Sequence, residues 1–180
     1  GTVLGEGCAV LALEREPQAR ERGAAALARM TGYGEAFSTG ESGPDGEAIA
    51  RAMRLALDSA SLRASEIDVI IAHGDGTPRG DEGEAEAINE VFSDAGVKVY
   101  SSKGALGHML AGSPAVDAAL ALQMIRTGTV PPTLGAEPLD QRAKFDVVRG
   151  GPLEAPVRRA MVSSTSVEGQ CAAFVLEAAA

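Results

Sequence analysis

The sequence predicts an α/β protein built in layers, and three features carry that prediction. Strand-like and helix-like segments alternate along the 180 residues. Two strand-like segments, Arg159 to Ser163 and Cys171 to Leu176, then close the chain as an antiparallel pair joined by Ser164–Gln170. Aromatic residues make up only 3% while alanine is abundant, which suits helices lying close on a sheet better than a β-sandwich. The length fits one domain, enough to bury about 70% of its unfolded surface. There is no repeat of solenoid length.

In chain order, Cys8 to Glu14 (CAVLALE) reads as a buried strand, bounded by glycines before it and Pro17 after it. Pro17 to Arg22 makes a short helix stopped by Gly23, and Ala25 to Tyr33 a second strand. Phe37 to Asp45, rich in Ser, Gly and Pro, reads as an exposed loop. Asp45 or Gly46 then caps an amphipathic helix with Ile49, Met53, Ala56 and Leu57 along one face. Asp68 to Ala72 is a short aliphatic strand, Ala85 to Phe92 a helix with Ile88, Val91 and Phe92 inward, and Gly96 closes it. Val97 to Ser101 is a strand, followed by a loop through Gly104 and Gly107 and an Ala-rich helix to about Arg126. From Val130 a long irregular connection leads to the closing strands.

A net charge of −9 argues against nucleic acid or an anionic membrane as partner. No apolar run reaches transmembrane length and no signal peptide is visible. Two cysteines, Cys8 and Cys171, make neither a disulfide framework nor a metal cluster, which points to a reducing cytoplasm. The opening Gly1-Thr-Val-Leu-Gly-Glu-Gly lacks methionine and reads as the middle of something longer.

The chemistry centres on Val97 to Val130. His108 is placed where the long helix begins, so that the unpaired N–H groups and positive dipole end of the first turn disfavour its charged form. A neutral histidine so held can donate one hydrogen bond to a carbonyl or a developing oxyanion. The helix from Pro114 to Met124 is apolar on nearly every side, which predicts burial all round. A plainer role for His108, in a structural loop, is the alternative.

His73, the other histidine of two, ends the strand Asp68 to Ala72 and opens His73-Gly-Asp75-Gly-Thr77-Pro-Arg-Gly-Asp81. Ligands gather beyond the carboxyl ends of strands in open α/β sheets, and glycines there let a backbone approach closely. If the two strands that precede the histidines run parallel, both imidazoles open on one sheet edge. Asp81 and Glu84 suit a helix start, as any acidic first turn does. Asp117 interrupts the apolar helix, so it either pairs with Lys103 or faces solvent on a narrow polar stripe.

These residues resemble the C-terminal half of the β-ketoacyl synthases, condensing enzymes of the thiolase-like fold. Gly5-Glu-Gly-Cys-Ala-Val-Leu-Ala-Leu-Glu14 is similar to the family's GEGAG-strand segment. His73 to Ala87 is similar to its HGTGT-P-GD-xx-EA motif, and Ser102-Lys-Gly-Ala-Leu-Gly-His108 to its SxKxxxGH motif. Val130-Pro-Pro-Thr matches the usual continuation, and the likeness covers nearly the whole chain.

The resemblance implies one half of a layered α-β-α-β-α architecture with a mixed sheet, residues 1–180 forming the C-terminal half. It implies that His73 and His108 are the catalytic pair that binds a malonyl thioester and stabilises the enolate of decarboxylation, with Lys103 as the lysine of that site. Thr77 takes the place of the threonine that hydrogen-bonds a phosphopantetheine arm, beside Asp75 and Gly107. Asp117 stands where the family usually has Glu, and Asp81 and Glu84 are supporting acids. No metal and no cofactor held by the chain itself are implied; phosphopantetheine arrives on an acyl carrier protein, in the cytoplasm.

Three departures accompany the likeness. Asp75 replaces a threonine, which puts a carboxylate beside the pantetheine path. The nucleophilic cysteine belongs to a preceding half, and neither Cys8 nor Cys171 resembles it. The family's Gly-rich closing loop is here Ser164–Gln170, with only Gly169 kept. Two functions follow: a ketosynthase half completed by an N-terminal half, or a non-catalytic partner like the chain-length factors of aromatic polyketide synthases. The chain alone is expected to catalyse no condensation and to be marginally stable.

Overall fold

The structure, a computed structural model, describes residues 1–38 and 44–179. Eight strands follow one another among them: β1 (Ala28–Phe37), β2 (Val69–Ile71), β3 (Lys98–Tyr100), β4 (Thr129–Val130), β5 (Asp146–Val147), β6 (Leu153–Glu154), β7 (Arg159–Thr165) and β8 (Gln170–Ala178). β4 and β6 pair as a small ribbon, and the other six form one sheet in the order β1-β8-β7-β2-β3-β5. β7, β2, β3 and β5 are parallel to their neighbours in that run, whereas β8 is antiparallel to both β7 and β1, so the sheet is mixed.

Each strand's alternation sends side chains to two different helical layers. Ile70, Val99 and Met161 face α2 (Gly46–Ala60) and α3 (Pro78–Phe92), packing with Ile49, Met53, Ile88 and Phe92. Val69, Ile71, Tyr100 and Val162 face α5 (Ser113–Thr127) and meet Ala118, Ala121 and Met124. The central strands are thus apolar on both faces, as strands covered by helices on each side must be. Gly34 of β1 shows how close the layers come: a Cβ there would lie 2.3 Å from the Ala52 carbonyl oxygen of α2.

The helix caps follow the sequence. The Asp45 side chain accepts from the Ala48 N–H at 2.8 Å and starts α2, whose Ile49, Met53, Ala56 and Leu57 are all buried. Thr77 caps α3, with Pro78 in the first turn, and the helix is seven residues longer at its start than the expected Ala85 to Phe92. α1 (Glu16–Glu21) ends before Gly23, and α4 (Lys103–Leu106) is a single turn after β3.

Several expectations are corrected. Cys8 to Glu14 is not a strand: Val10 and Leu13 are 94% and 74% exposed, Cys8 is exposed, and no neighbouring strand edge takes up that backbone among the described residues. Pairing occurs earlier, where Val3 and Gly5 bracket His108 in a parallel bridge. The second strand begins at Ala28 and runs on to Phe37. The expected exposed loop lies mostly outside the described residues, and at its near end Ser38 is buried. α5 is not buried all round: Ala118, Ala121 and Met124 are buried against the sheet, while Val116, Ala119, Leu120 and Ile125 are only half-buried.

Candidate active site

β2 and β3 are parallel, so their carboxyl ends open on the same edge. Two residues beyond β2 stands His73; beyond β3 the single turn of α4 leads to His108. The two imidazoles meet edge to face, with ring centroids 5.0 Å apart and planes at 81°.

His73 is held through its backbone. The Glu84 carboxylate, carried on the first turns of α3, accepts from the N–H groups of His73 at 2.7 Å and Gly74 at 2.8 Å. Glu84 is buried, and that burial raises its pKa against the opposing pull of these two donors. Burial, followed by the nearby charges of Lys103 and His108, lowers the pKa of His73 to about 4, with Asp75 pulling the other way. His73 is therefore neutral at pH 7. Its Nδ1 is enclosed without a hydrogen-bond partner, and the residue lines a cavity.

His108 is not in the first turn of α5, as the sequence suggested, but five residues before it, ahead of a 3₁₀ turn (Leu110–Gly112). The local orphan N–H nevertheless acts on it: Leu110 N–H donates to Nδ1 at 3.0 Å, and the Ser113 hydroxyl lies 3.3 Å from the same atom. With Nδ1 accepting from Leu110, the ring proton of His108 sits on Nε2. Gly107, with φ of 73°, turns the chain here, and a Cβ on it would come within 2.7 Å of Gly5.

Lys103 and Asp117 form a buried pair, Nζ to Oδ2 2.6 Å, and the Ser102 hydroxyl donates to the other carboxylate oxygen at 2.6 Å. This settles the two readings of Asp117 in favour of the ion pair. The pair ties the start of α4 to α5 and so fixes the turn that carries His108.

The candidate residues divide between two cavities. His73, His108, Thr77 and Asp75 line one of about 570 Å³, together with the loop from Ser164 to Glu168. Lys103, Asp81, Glu84 and Gly107 line a neighbouring one of about 750 Å³, whose wall Asp75 shares. Asp81 accepts from the Gly76 N–H at 3.1 Å, and burial raises its pKa. Thr77 is already engaged: its hydroxyl donates to Asp75 Oδ1 at 2.8 Å and accepts from the Gly80 N–H at 3.0 Å. Its backbone N–H also donates to Asp75 Oδ1, at 2.8 Å.

Sequence reasoning missed Leu110 and Ser113 as the groups that orient His108, and Ser102 as the second partner of Asp117. A Ser directly before the buried lysine was a usable signal for the last; a backbone N–H leaves none. Among the described residues no group of three or more His, Cys, Asp or Glu could hold a metal ion.

Two imidazoles lining one small cavity can together hold a single oxygen that gains charge, such as that of a thioester becoming an enolate. Preorganised donors at a developing oxyanion are worth about 3 kcal/mol each.

Comparison with known proteins places the chain in a family. Residues 25–137 match the family model "Beta-ketoacyl synthase, C-terminal domain". The chain is 32% identical to the 3-oxoacyl-[acyl-carrier-protein] synthase 2 of Staphylococcus aureus (strain COL), over 98% of this chain and 44% of that protein. It is 39% identical to the tetracenomycin polyketide synthase ketoacyl synthase beta subunit of Streptomyces glaucescens, over 98% of this chain and 43% of that one. The ishigamide ketosynthase/chain length factor superposes with a TM-score of 0.95 at 35% identity, covering 100% of this chain and 45% of that one. The chain thus spans less than half the length of these relatives. Family match, mixed sheet and three packed layers agree: the chain belongs to the β-ketoacyl synthase family, as its C-terminal domain, and has that family's thiolase-like α/β fold.

Proposed function

We propose that this chain is the C-terminal half of a ketosynthase unit and supplies the histidine pair for decarboxylative condensation of malonyl and acyl carrier thioesters, in fatty-acid or polyketide synthesis. The observation that carries the reading is the edge-to-face contact of His73 and His108 at 5.0 Å, with both residues lining one cavity. His73 and His108 take the thioester carbonyl and stabilise the enolate; Lys103, through Asp117, holds the turn before His108. A second thiolase-like half contributes the nucleophilic cysteine. The exposed Val3, Leu4, Val10 and Leu13 suit such a contact. The substrates arrive on the phosphopantetheine arm of an acyl carrier protein in the cytoplasm, where the two free thiols remain reduced. One similar structure is a ketosynthase in complex with its acyl carrier protein.

The test uses the chain assembled with its complementing half. Replacing His73 or His108 by Ala abolishes decarboxylation of the malonyl carrier thioester, while acyl transfer to the cysteine persists. Retained decarboxylation in either variant overturns the reading.

A second reading, a non-catalytic partner that shapes the cavity of a separate ketosynthase, is favoured by one observation. The Thr77 hydroxyl already gives its proton to Asp75, so it has none to donate to a pantetheine arm.

A further inference from the structure

We propose that the Ser164 hydroxyl contacts substrate: it takes the carboxylate of a malonyl thioester while the two imidazoles take the thioester carbonyl. This inference rests on the reading that the histidine cavity receives such thioesters.

β2 and β7 are parallel neighbours, with Ile71 opposite Val162. Two residues further along the same register His73 stands beside Ser164, about 4.8 Å away across the strands. The Glu84 carboxylate ties the two strand ends together, since it accepts from the His73 N–H and from the Ser163 side chain. Ile71 and Val162 both face the α5 side of the sheet, so the alternation sends His73 and Ser164 to that side too. Both line the cavity of about 570 Å³, with His108 and Pro114. Ser164 is half-buried, and opposite it in β8 stands Ala172, whose methyl is too short to cover the hydroxyl.

Of the hydroxyls lining this cavity, Thr77 gives its proton to Asp75 and Ser166 donates to Gln170. The hydroxyls of Ser164 and Thr165 have no hydrogen-bond partner among the described residues. By the same alternation Thr165 belongs to the other face of β7, which leaves Ser164 as the free hydroxyl beside His73. A malonyl carboxylate lies two bonds from the thioester carbonyl carbon, within reach of a hydroxyl one strand spacing away. A neutral donor suits the step. The C–C bond breaks, its electron pair enters the enolate held by the imidazoles, and carbon dioxide leaves uncharged. A cation on the carboxylate stabilises the starting state and loses that contact in the transition state, which slows the reaction. Ser164 orients the leaving group and gives up no proton. Arg79 also lines the cavity, but it is exposed, lies beyond Thr77 on α3 and acts on Asp45.

The experiment uses the full chain and the Hε1–Cε1 NMR signals of its two histidines, titrated with acetyl- and malonyl-aminopantetheine, in which NH replaces the thioester sulfur. An amide forms its enolate less readily than a thioester, so the malonyl group keeps its carboxylate during the titration. In the parent both compounds shift both signals. Ser164→Ala binds the malonyl amide about tenfold more weakly, as expected for a lost hydrogen bond to a charged group, and binds the acetyl amide as the parent does. Ser164→Thr, which keeps the hydroxyl, restores most of the malonyl affinity. Unchanged malonyl affinity in Ser164→Ala, or an equal loss for the two amides, overturns the contact and leaves the histidine-pair reading intact. If neither amide shifts either signal in the parent, the cavity takes no such acyl group, and both readings fall.

Discussion

Lys103 Nζ lies 2.6 Å from Asp117 Oδ2, with both side chains almost fully buried. Two elements depend on this contact. α4 follows β3 directly, and α5 begins five residues after His108, so the pair closes a loop with the histidine at its apex. Ser102 completes the shell of Asp117 and leaves neither carboxylate oxygen bare. Such a pair adds little net stability over apolar side chains of equal volume, but it is costly to break.

Asp117→Ala therefore leaves a buried ammonium without a counter-charge and costs about 3–5 kcal/mol. The double change Lys103→Met with Asp117→Leu costs much less than Asp117→Ala alone. Urea unfolding of the three proteins checks the order, and a double variant as unstable as Asp117→Ala shows that the pair itself is stabilising.

The pH dependence of stability follows from His73. Its folded pKa of about 4 lies below the unfolded value of about 6.5, so the unfolded chain binds the proton first as pH falls. The contribution is complete above about pH 6.5 and is lost as pH falls to about 4, amounting to about 3 kcal/mol. His73→Gln flattens this part of the stability curve. Direct titration of the His73 Cε1–Hε1 signal shows no midpoint above pH 5.

Much of this site was legible, and the parts that were not share a cause. His73 could be placed because a short aliphatic run, Val69 to Ile71, ends just before it. Asp117 could be read as needing a partner because the residues around it are apolar. Cys8 to Glu14 misled because its apolar run carries the same signal whether or not a sheet edge lies beside it. Val10 and Leu13 lack that edge among the described residues. α3 was read too short because Pro78, Gly80 and Gly83 look like breakers. Proline is at home in a first turn, and Gly80 accommodates Asp75 and Thr77. The orientation of His108 was invisible because Leu110 supplies a backbone N–H, which every residue but proline has.

Gly34→Ala tests the packing of β1 on α2. The new methyl would lie 2.3 Å from the Ala52 carbonyl oxygen and 2.5 Å from the Ala56 nitrogen, both backbone atoms of one helix. Neither can turn aside as a side chain would, so helix and strand must separate along their length. The expected loss is about 2–3 kcal/mol, read from thermal unfolding. Gly151→Ala, where nothing lies within 4 Å, changes stability little and serves as the control.

The last prediction separates what the two nitrogens of His108 do. Nδ1 accepts from the Leu110 N–H at 3.0 Å and belongs to the loop; Nε2, in the proposed reading, serves the ligand. Asparagine places its amide oxygen near Nδ1 and offers nothing at Nε2. Glutamine reaches the Nε2 position with an amide N–H but leaves Leu110 without its acceptor. His108→Asn therefore unfolds within about 0.5 kcal/mol of the parent and binds acetyl-pantetheine at least tenfold more weakly. His108→Gln loses about 1 kcal/mol of stability, the net value of one hydrogen bond, and retains more of the binding. Both are measured on the same samples, stability by urea unfolding and binding through the His73 signal. If the two substitutions lower stability and binding in parallel, the nitrogens do not have separate tasks.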